Sequence, residues 1–204
     1  MVVRIELRSS RQWLSWLEYA LFAAGSVALV ICGLVMLESR LYQQLQRRQF
    51  EQRLHNAAPA AISASRPAPV ELRAAVRRID IPRLGLSVMV EEGADAQTLR
   101  LAAGHIPGTA LPGGPGNVGI AGHRDTFFRP LRGIKKDDTI LLSTANGTYR
   151  YAVESAEVVP PTRVEVLNPT PEPSLTLVTC YPFSYIGPAP KRFIVRAREM
   201  AEDP

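Results

Sequence analysis

The stretch TLVTCYPFSYIGPAPKRFIVRA, residues 176–197, contains two β-like runs separated by a segment rich in proline and glycine. Branched and aromatic apolar residues dominate both runs, as is typical of strands, and the intervening prolines and glycine favour a turn. Cys180 ends the first run, and Arg192 stands twelve positions later at the head of the second. A lone cysteine at a strand end is usually a small buried apolar residue. Whether Cys180 and Arg192 act together in a reaction must therefore be judged from the rest of the sequence.

Short β-like runs alternate with turn signals over most of the sequence after residue 76. Asn146-Gly147 predicts a tight hairpin, a short helix is predicted over Ala96–Ala103, and a helical turn over Phe127–Leu131. Many short strands joined by Gly/Pro turns indicate an all-β barrel or sandwich rather than a βαβ fold. The predicted strands are Val76–Ile81, Leu86–Val90, Val118–Gly122, Thr139–Ser143, Thr148–Val153, Ala156–Val159, Leu175–Cys180 and Phe193–Arg198.

An apolar run near the N-terminus predicts a membrane anchor. Tyr19–Leu37 contains 19 residues without a charge, about the length that crosses a bilayer as a helix. Trp13 and Trp16 precede it, where aromatic side chains favour the headgroup level. A cleaved signal peptide is the alternative, but the run is long for one and no small-residue cleavage site follows directly. Arginines flank the run on both sides, so the positive-inside rule does not settle the topology.

The chain divides into four predicted segments: a tail (1–18), the transmembrane anchor (19–37), a juxtamembrane helix with an Ala/Pro linker (38–70), and a compact domain (71–204). Residues 1–70 hold 8 Arg against 4 acidic residues, whereas the remainder holds 16 basic and 15 acidic residues. The excess positive charge therefore lies beside the apolar run. This distribution favours contact with a lipid bilayer and argues against nucleic-acid binding.

Three residues of the compact domain could carry chemistry together: Cys180, His123 in the sequence GIAGHR, and Arg192. A thiolate is a strong nucleophile, an imidazole can move the proton, and a guanidinium can stabilise an oxyanion. The alternative of a metal site built from His105, His123 and Cys180 matches no common zinc spacing. We therefore predict no metal and no cofactor.

The motifs TLVTC, KRFIV and GHIPGTALPGGPGNVGIAGHR together closely resemble the sortase family of cysteine transpeptidases, and the class D branch most. The resemblance spans about Arg77–Arg198. It implies an eight-stranded β-barrel with short helices, preceded by one N-terminal transmembrane helix. It also implies Cys180 as the nucleophile, His123 as the general acid/base and Arg192 as the oxyanion-stabilising and substrate-orienting residue. Thr179, in the TC position, is expected to contact the substrate.

Two further arginines, Arg196 and Arg198, compete with Arg192 for its role, but they lie further along the same predicted strand. The loop of residues 160–174, with its several prolines, lies where the family's substrate-binding loop is expected. Its prolines would limit its freedom and prepare a groove for an extended peptide.

The resemblance further implies a membrane-anchored enzyme with its catalytic domain outside the cytoplasmic membrane. Such an enzyme cleaves an LPXTG-type sorting signal near the C-terminus of a secreted protein. It then transfers the acyl group to an amine of the cell wall or of another surface protein. Two other functions remain open. One is a cysteine L,D-transpeptidase acting on the cell wall, although Thr179 stands where that class has a glycine. The other is an anchored β-barrel binding module without catalysis.

Overall fold

The computed structural model describes residues 8–57, 76–185 and 187–200. The chain forms two units, residues 1–41 and residues 42–204. Most of the predicted Ala/Pro linker, together with the predicted start of the compact domain at residue 71, lies outside the described residues. The boundaries of the four predicted segments thus stay predictions.

Helix α1 (Arg8–Ala57) contains the predicted apolar run. Within the described part of the chain, its section Trp13–Arg48 is long and apolar enough to cross a membrane, judged by length and composition, and has an 18-residue window with a mean hydropathy of 2.5. The side chains from Trp13 to Leu37 are all exposed. This section exposes its apolar side chains instead of packing them into a protein core, which agrees with the predicted membrane anchor.

The second unit begins inside this helix. Gln43 Oε1 accepts a hydrogen bond from Met89 N (2.8 Å), and Gln43 Nε2 donates to Leu101 O (2.7 Å). One side-chain amide thus satisfies a strand donor and a carbonyl at the end of a short helix. Residues from Tyr42 onward therefore belong with the β-domain.

The described residues of the β-domain form a closed barrel of eight strands. The strands are β1 (Arg78–Ile81), β2 (Leu86–Glu92), β3 (Ala103–His105), β4 (Asn117–Ala121), β5 (Thr139–Ser143), β6 (Thr148–Val159), β7 (Ser174–Tyr181) and β8 (Lys191–Glu199). Their order around the barrel is β1-β2-β3-β4-β7-β8-β6-β5, in which the pairs β2–β3 and β4–β7 are parallel and the other neighbours are antiparallel. This confirms the predicted all-β, eight-stranded barrel.

Two strands differ from the sequence-based expectation. The predicted strands Thr148–Val153 and Ala156–Val159 are one twelve-residue strand, β6, whose pairing with β8 shifts register between Val153 and Ser155. The short strand β3, by contrast, was not predicted. The count of eight was right, although the elements that make it up are not all those expected.

The helical elements of the barrel connect strands. Helix α2 (Ala96–Leu101) joins β2 to β3 and is capped by Asp95, whose carboxylate accepts hydrogen bonds from Gln97 N and Thr98 N. Such a cap satisfies backbone donors that the first helical turn leaves open. The helical turn predicted over Phe127–Leu131 is a 3-10 turn at Arg129–Gly133.

The interior of the barrel is filled by one face of each strand. The core cluster includes Val118 and Ile120 of β4, and Leu175 and Leu177 of β7. Because side chains alternate along a strand, the residues between these positions face outward. The sequence places only Cys180 within the β-domain, so no intramolecular disulfide can form there and the apolar core must hold it together. The outward residues Asn117 and Thr176 are also buried, whereas Ala121 and Cys180 are half-buried, so the accessible part of this face lies toward the ends of β4 and β7.

An ion pair joins the exposed Arg83 to the buried Asp138, which directly precedes β5. Arg83, in a 3-10 turn after β1, donates from Nε to Asp138 Oδ1 and from Nη2 to Gly133 O (2.6 Å). Asp138 is buried and also accepts from Lys135 N (2.8 Å). The hydrogen bond from Arg83, helped by that from Lys135, lowers the pKa of Asp138 below its usual value.

We expect Asp138→Asn to lower the midpoint of thermal unfolding by several degrees at pH 7. A carboxylate whose pKa is lower in the folded than in the unfolded chain stabilises the fold above the unfolded value, about 3.9 for Asp. That stabilisation is lost as the pH falls through the folded value. The difference between parent and variant, measured by calorimetry, should therefore shrink below about pH 4.

The matched control is Glu154→Gln, which removes an exposed partner of Arg198. Exposed ion pairs contribute little to stability, so this variant should melt close to the parent at both pH values. If the midpoint of thermal unfolding of Asp138→Asn lies below that of the parent by the same amount at pH 7 and at pH 3, the pKa argument is contradicted.

Candidate active site

The ends of β4 and β7 lie side by side because these strands run parallel. Ala121 pairs with Val178, and Gly122 N donates to Val178 O (3.1 Å). If the same register continues by two residues, His123 stands level with Cys180. The parallel pairing of β4 and β7 thus places both predicted residues at the same end of the barrel.

The hairpin formed by β7 and β8 brings Arg192 to the same place. In its antiparallel register Cys180 pairs with Arg192, and Tyr181 pairs with Lys191. Residues 182–190 form the connection, which we call the β7–β8 loop. A hairpin of this length explains why the cysteine and the arginine are twelve positions apart in the sequence.

By the alternation of side chains along the strands, all three residues are expected to point to the outside of the barrel. Val118 and Ile120 of β4, and Leu175 and Leu177 of β7, point into the core, so positions 123 and 180 alternate to the outside. On β8, Val195 and Ala197 point inward, so position 192 is also outward. We call the set of His123, which follows two residues after β4, Cys180 on β7 and Arg192 on β8 the terminal row. His123 is exposed, whereas Cys180 and Arg192 are half-buried.

A short segment after β6 covers the outward face beside the terminal row. Val166, in the 3-10 turn Val164–Leu167, is buried in a small cluster with Val159 and Ile194. Asn117 Nδ2 donates to Val166 O (3.0 Å). The loop predicted at residues 160–174 therefore forms a wall over β4, β7 and β8.

The arginines of β8 have different partners. Arg192 Nη1 donates to Ala189 O (3.3 Å) and Lys191 O (3.0 Å). Arg196 instead lies 3.8 Å from a carboxylate oxygen of Glu157 on β6. Its register partner on β7 is Thr176, four residues before Cys180. Four residues of strand span roughly 13 Å, which separates Arg196 from the thiol along the strand.

Similarly, Arg198 lies 3.3 Å from Glu154. It pairs with Ser174, at the far end of β7 from Cys180. Both competing arginines are therefore distant from the terminal row along the barrel.

Thr179 lies on the inner side of β7. It is buried, with 2% of its surface exposed, and its hydroxyl donates to Gly122 O (2.7 Å). This bond ties the residue before Cys180 to the residue before His123. Contact between Thr179 and a substrate stays a prediction.

His105 is buried at the end of β3, where it pairs with Ile120 of β4. Its Nδ1 lies 2.8 Å from Glu92 Oε2, and its Nε2 lies 3.0 Å from Ala110 O and 3.1 Å from Thr109 Oγ1. Its ring thus joins β2 and β3 to the loop before β4, in agreement with a structural role. No three His, Cys, Asp or Glu side chains are grouped as metal ligands among the residues that the structure describes.

Two neighbours of His123, Gly122 and Arg124, have structural contacts that the sequence did not predict. A Cβ on Gly122 would lie 2.7 Å from the ring of Phe128, which is fully buried. Gly122 therefore allows the aromatic core to pack directly beneath His123. Arg124 reaches across to the β7–β8 loop, where its Nη2 donates to Tyr185 O (2.8 Å) and Gly187 O (3.0 Å). Its position directly after the histidine was the only sequence signal for this role.

The chain is similar to curated and structurally solved sortases. Sortase D of Bacillus subtilis is 32% identical over 123 residues, which cover 60% of this chain and 62% of that protein. The match thus spans less than two thirds of this relative. A solved structure of sortase A from Corynebacterium diphtheriae is 32% identical, with a TM-score of 0.58, covering 69% of this chain and 64% of that one.

The structure of a Clostridium perfringens sortase D5 transpeptidase aligns with a TM-score of 0.60 and covers 80% of this chain and 99% of that one. At 24% identity this match supports the fold alone. The similarity to class D members agrees with the resemblance seen in the motifs. The family profile for the sortase domain matches residues 79–200, which is more than half of the chain and includes the whole terminal row. The chain therefore belongs to the sortase family.

Proposed function

We propose that this protein is a membrane-anchored cysteine transpeptidase that uses the terminal row as its catalytic site. The observation that carries the proposal is the register of three neighbouring strands: Cys180 pairs with Arg192, and the end of β4, two residues before His123, pairs with β7 at Val178. A nucleophile, a proton carrier and an oxyanion donor are the groups that acyl transfer requires. Membership of the sortase family gives this combination its most direct interpretation.

Cys180 acts as the nucleophile in this mechanism. Its thiolate attacks the carbonyl carbon of a peptide bond, and the carbonyl oxygen becomes an oxyanion. When that intermediate collapses, the C–N bond breaks and His123 gives a proton to the leaving amine. The products of this step are a thioester on Cys180 and the released tail of the substrate. An acceptor amine then attacks the thioester carbonyl and gives a proton to His123, and the C–S bond breaks, which forms a new amide and releases Cys180 as the thiolate.

Arg192 stabilises the oxyanion in both steps. Its hydrogen bonds to Ala189 O and Lys191 O both use Nη1. Among the described residues, these bonds leave Nε and Nη2 to serve an incoming oxygen. A guanidinium already held in place needs little rearrangement when charge develops, which is the main advantage of a preorganised donor.

The substrate is an extended peptide of the LPXTG type near the C-terminus of a secreted protein. On the outward face of β4, Gly119 is buried beneath Thr109 and Leu167, whereas Ala121 is half-buried, so the accessible part of this strand lies at its end. Residues 160–174 supply a wall, on which Val164 is 69% exposed. An exposed apolar side chain on this wall suits the apolar part of such a signal. The acceptor is an amine of the cell wall or of another surface protein.

The helix Trp13–Arg48 supports anchoring in the cytoplasmic membrane. The catalytic domain then lies outside and residues 1–18 lie in the cytoplasm, because the substrates are secreted proteins. The anchor keeps the terminal row at the surface where those proteins emerge. The membrane thus supplies a high local concentration of substrate without any additional contact.

Incubation of the protein with an LPXTG-type peptide should produce a covalent adduct whose mass equals the peptide without its released tail. Tryptic mass spectrometry should locate this thioester on Cys180. Cys180→Ala and His123→Ala should form no adduct while melting at the parent temperature. If the parent enzyme leaves the peptide uncleaved, a binding module is favoured. If only muropeptides acylate the protein, an L,D-transpeptidase is favoured.

Arg192→Ala should slow acylation by about 10²–10³, the usual effect of removing an oxyanion donor. Arg192→Lys should recover only part of this loss, because lysine keeps the charge without the planar fork. Single-turnover acylation rates measure the effect, and Arg196→Ala is the matched control on the same face of β8. A large loss in Arg196→Ala with near-parent rates in Arg192→Ala would transfer the oxyanion role to Arg196.

The full-length protein should sediment with membranes, whereas a chain beginning at Tyr42 should remain in the supernatant and stay folded. The apolar section of α1 before residue 42 is the reason for this difference. Fractionation followed by N-terminal sequencing tests the expectation. Recovery of the full-length product from the medium, with a new N-terminus beyond residue 37, would show a cleaved signal instead.

A further inference from the structure

Arg124 joins the segment of His123 to the loop that connects Cys180 with Arg192. Its Nη2 donates two hydrogen bonds into the β7–β8 loop, to Tyr185 O (2.8 Å) and Gly187 O (3.0 Å). Hydrogen bonds from a charged donor are stronger than those between neutral groups. One side chain therefore holds two carbonyls that are separated by a single residue.

The aromatic ring of Tyr185 adds a second contact. The guanidinium carbon of Arg124 lies 5.7 Å from the centre of that ring, within the range of a cation–π interaction. Tyr185 is 47% exposed, so the barrel core does not hold this part of the loop. Phe183, near the start of the loop, does pack against the core. The far part of the loop thus depends on Arg124 more than on apolar burial.

The position of the loop matters because catalytic candidates flank it. Cys180 lies just before the loop, and Arg192 lies just after it. Arg192 also donates to Ala189 O, which belongs to the loop itself. A change in the loop would therefore alter the acceptor that orients the Arg192 guanidinium. Arg124, in turn, is bonded covalently to His123 and hence moves with it.

We propose that Arg124 is a positioning residue, which clamps the β7–β8 loop to the His123 segment and so sets the geometry of the terminal row. This inference rests on the proposed function. Arg124 touches no reacting atom in the mechanism, and it acts through the loop. The planar guanidinium is suited to the task, since it donates to two carbonyls while facing the ring of Tyr185.

The environment of the second terminal nitrogen of Arg124 indicates a functional role for this residue rather than a stabilising one. Nη1 is buried and has no hydrogen-bond partner among the described residues. A buried donor without an acceptor has a desolvation cost, and such groups in folded proteins call for a specific explanation. That cost offsets part of what the two Nη2 bonds contribute. Removing the guanidinium should therefore change global stability little while releasing the loop.

The test compares full-length parent, Arg124→Met, Arg124→Lys and Arg129→Met in detergent. Arg129 is an exposed arginine five positions further on, and it serves as the matched control. We expect Arg124→Met to raise amide hydrogen exchange in residues 183–191 by about tenfold or more, the factor that one hydrogen bond to a charged group represents. Its midpoint of thermal unfolding should stay close to that of the parent.

The same variants are then acylated with the sorting-signal peptide. Arg124→Met should lower kcat by about 10- to 100-fold, as expected for a small misplacement of reacting groups, with little change in KM. Arg124→Lys should recover part of the loss, and Arg129→Met should match the parent. Alkylation of Cys180 by iodoacetamide should proceed at similar rates in all four proteins, because the nucleophile itself is unchanged.

Unchanged exchange in Arg124→Met overturns the clamp. Raised exchange with parent-like kcat overturns the positioning role, as does full recovery by lysine or an equal loss in Arg129→Met. If Arg124→Met does not fold, Arg124→Lys alone carries the comparison, and parent-like exchange and kcat in it overturn the inference. If the parent is not acylated by any peptide, the proposed function fails, while the exchange measurement still decides whether the clamp exists.

Discussion

Strand β7 is hydrogen-bonded along both edges, to β4 in parallel and to β8 in antiparallel orientation, and the candidate site depends on this double pairing. A slip of one residue in either ladder would turn every outward side chain of β7 toward the core. The double pairing makes such a slip costly, because it would break two ladders and bury a polar row. The Thr179–Gly122 hydrogen bond adds a side-chain contact at the point where the row begins.

The inner and outer faces of the same strands have different tasks. The inner face fills the barrel with apolar side chains, which must suffice because the domain has one cysteine and no disulfide. The outer face carries the terminal row and is covered beside it by the segment around Val166. Rigid strands thus hold the groups proposed for chemistry, whereas loops supply the wall and the connection. Precision at a reactive site is greatest when its side chains stand on such supported elements.

Much of the architecture could be predicted from the chain alone, and the exceptions have physical causes. Alternating apolar residues and turn signals correctly indicated the strands around Cys180 and Arg192. Strand β3 was missed because Ala103–His105 is three residues long and contains a glycine, so it carries no alternation. Strand β6 was divided in two because Glu154 and Ser155 are exposed polar residues at a register shift. Both errors arise where pairing with neighbours overrides the local pattern.

The sequence by itself determined the class of fold, the apolar helix, and the chemical types gathered in the motifs. It could also place Arg192 opposite Cys180, since a hairpin relates residues that are near each other in the chain. Only the tertiary structure decided that the end of β4, just before His123, lies beside the end of β7, just before Cys180, because parallel pairing of β4 and β7 joins distant segments. The same holds for Arg124, whose partners at Tyr185 and Gly187 exist only once the barrel has closed. Local patterns encode strands and turns, whereas contacts across many residues depend on the packing of the whole barrel.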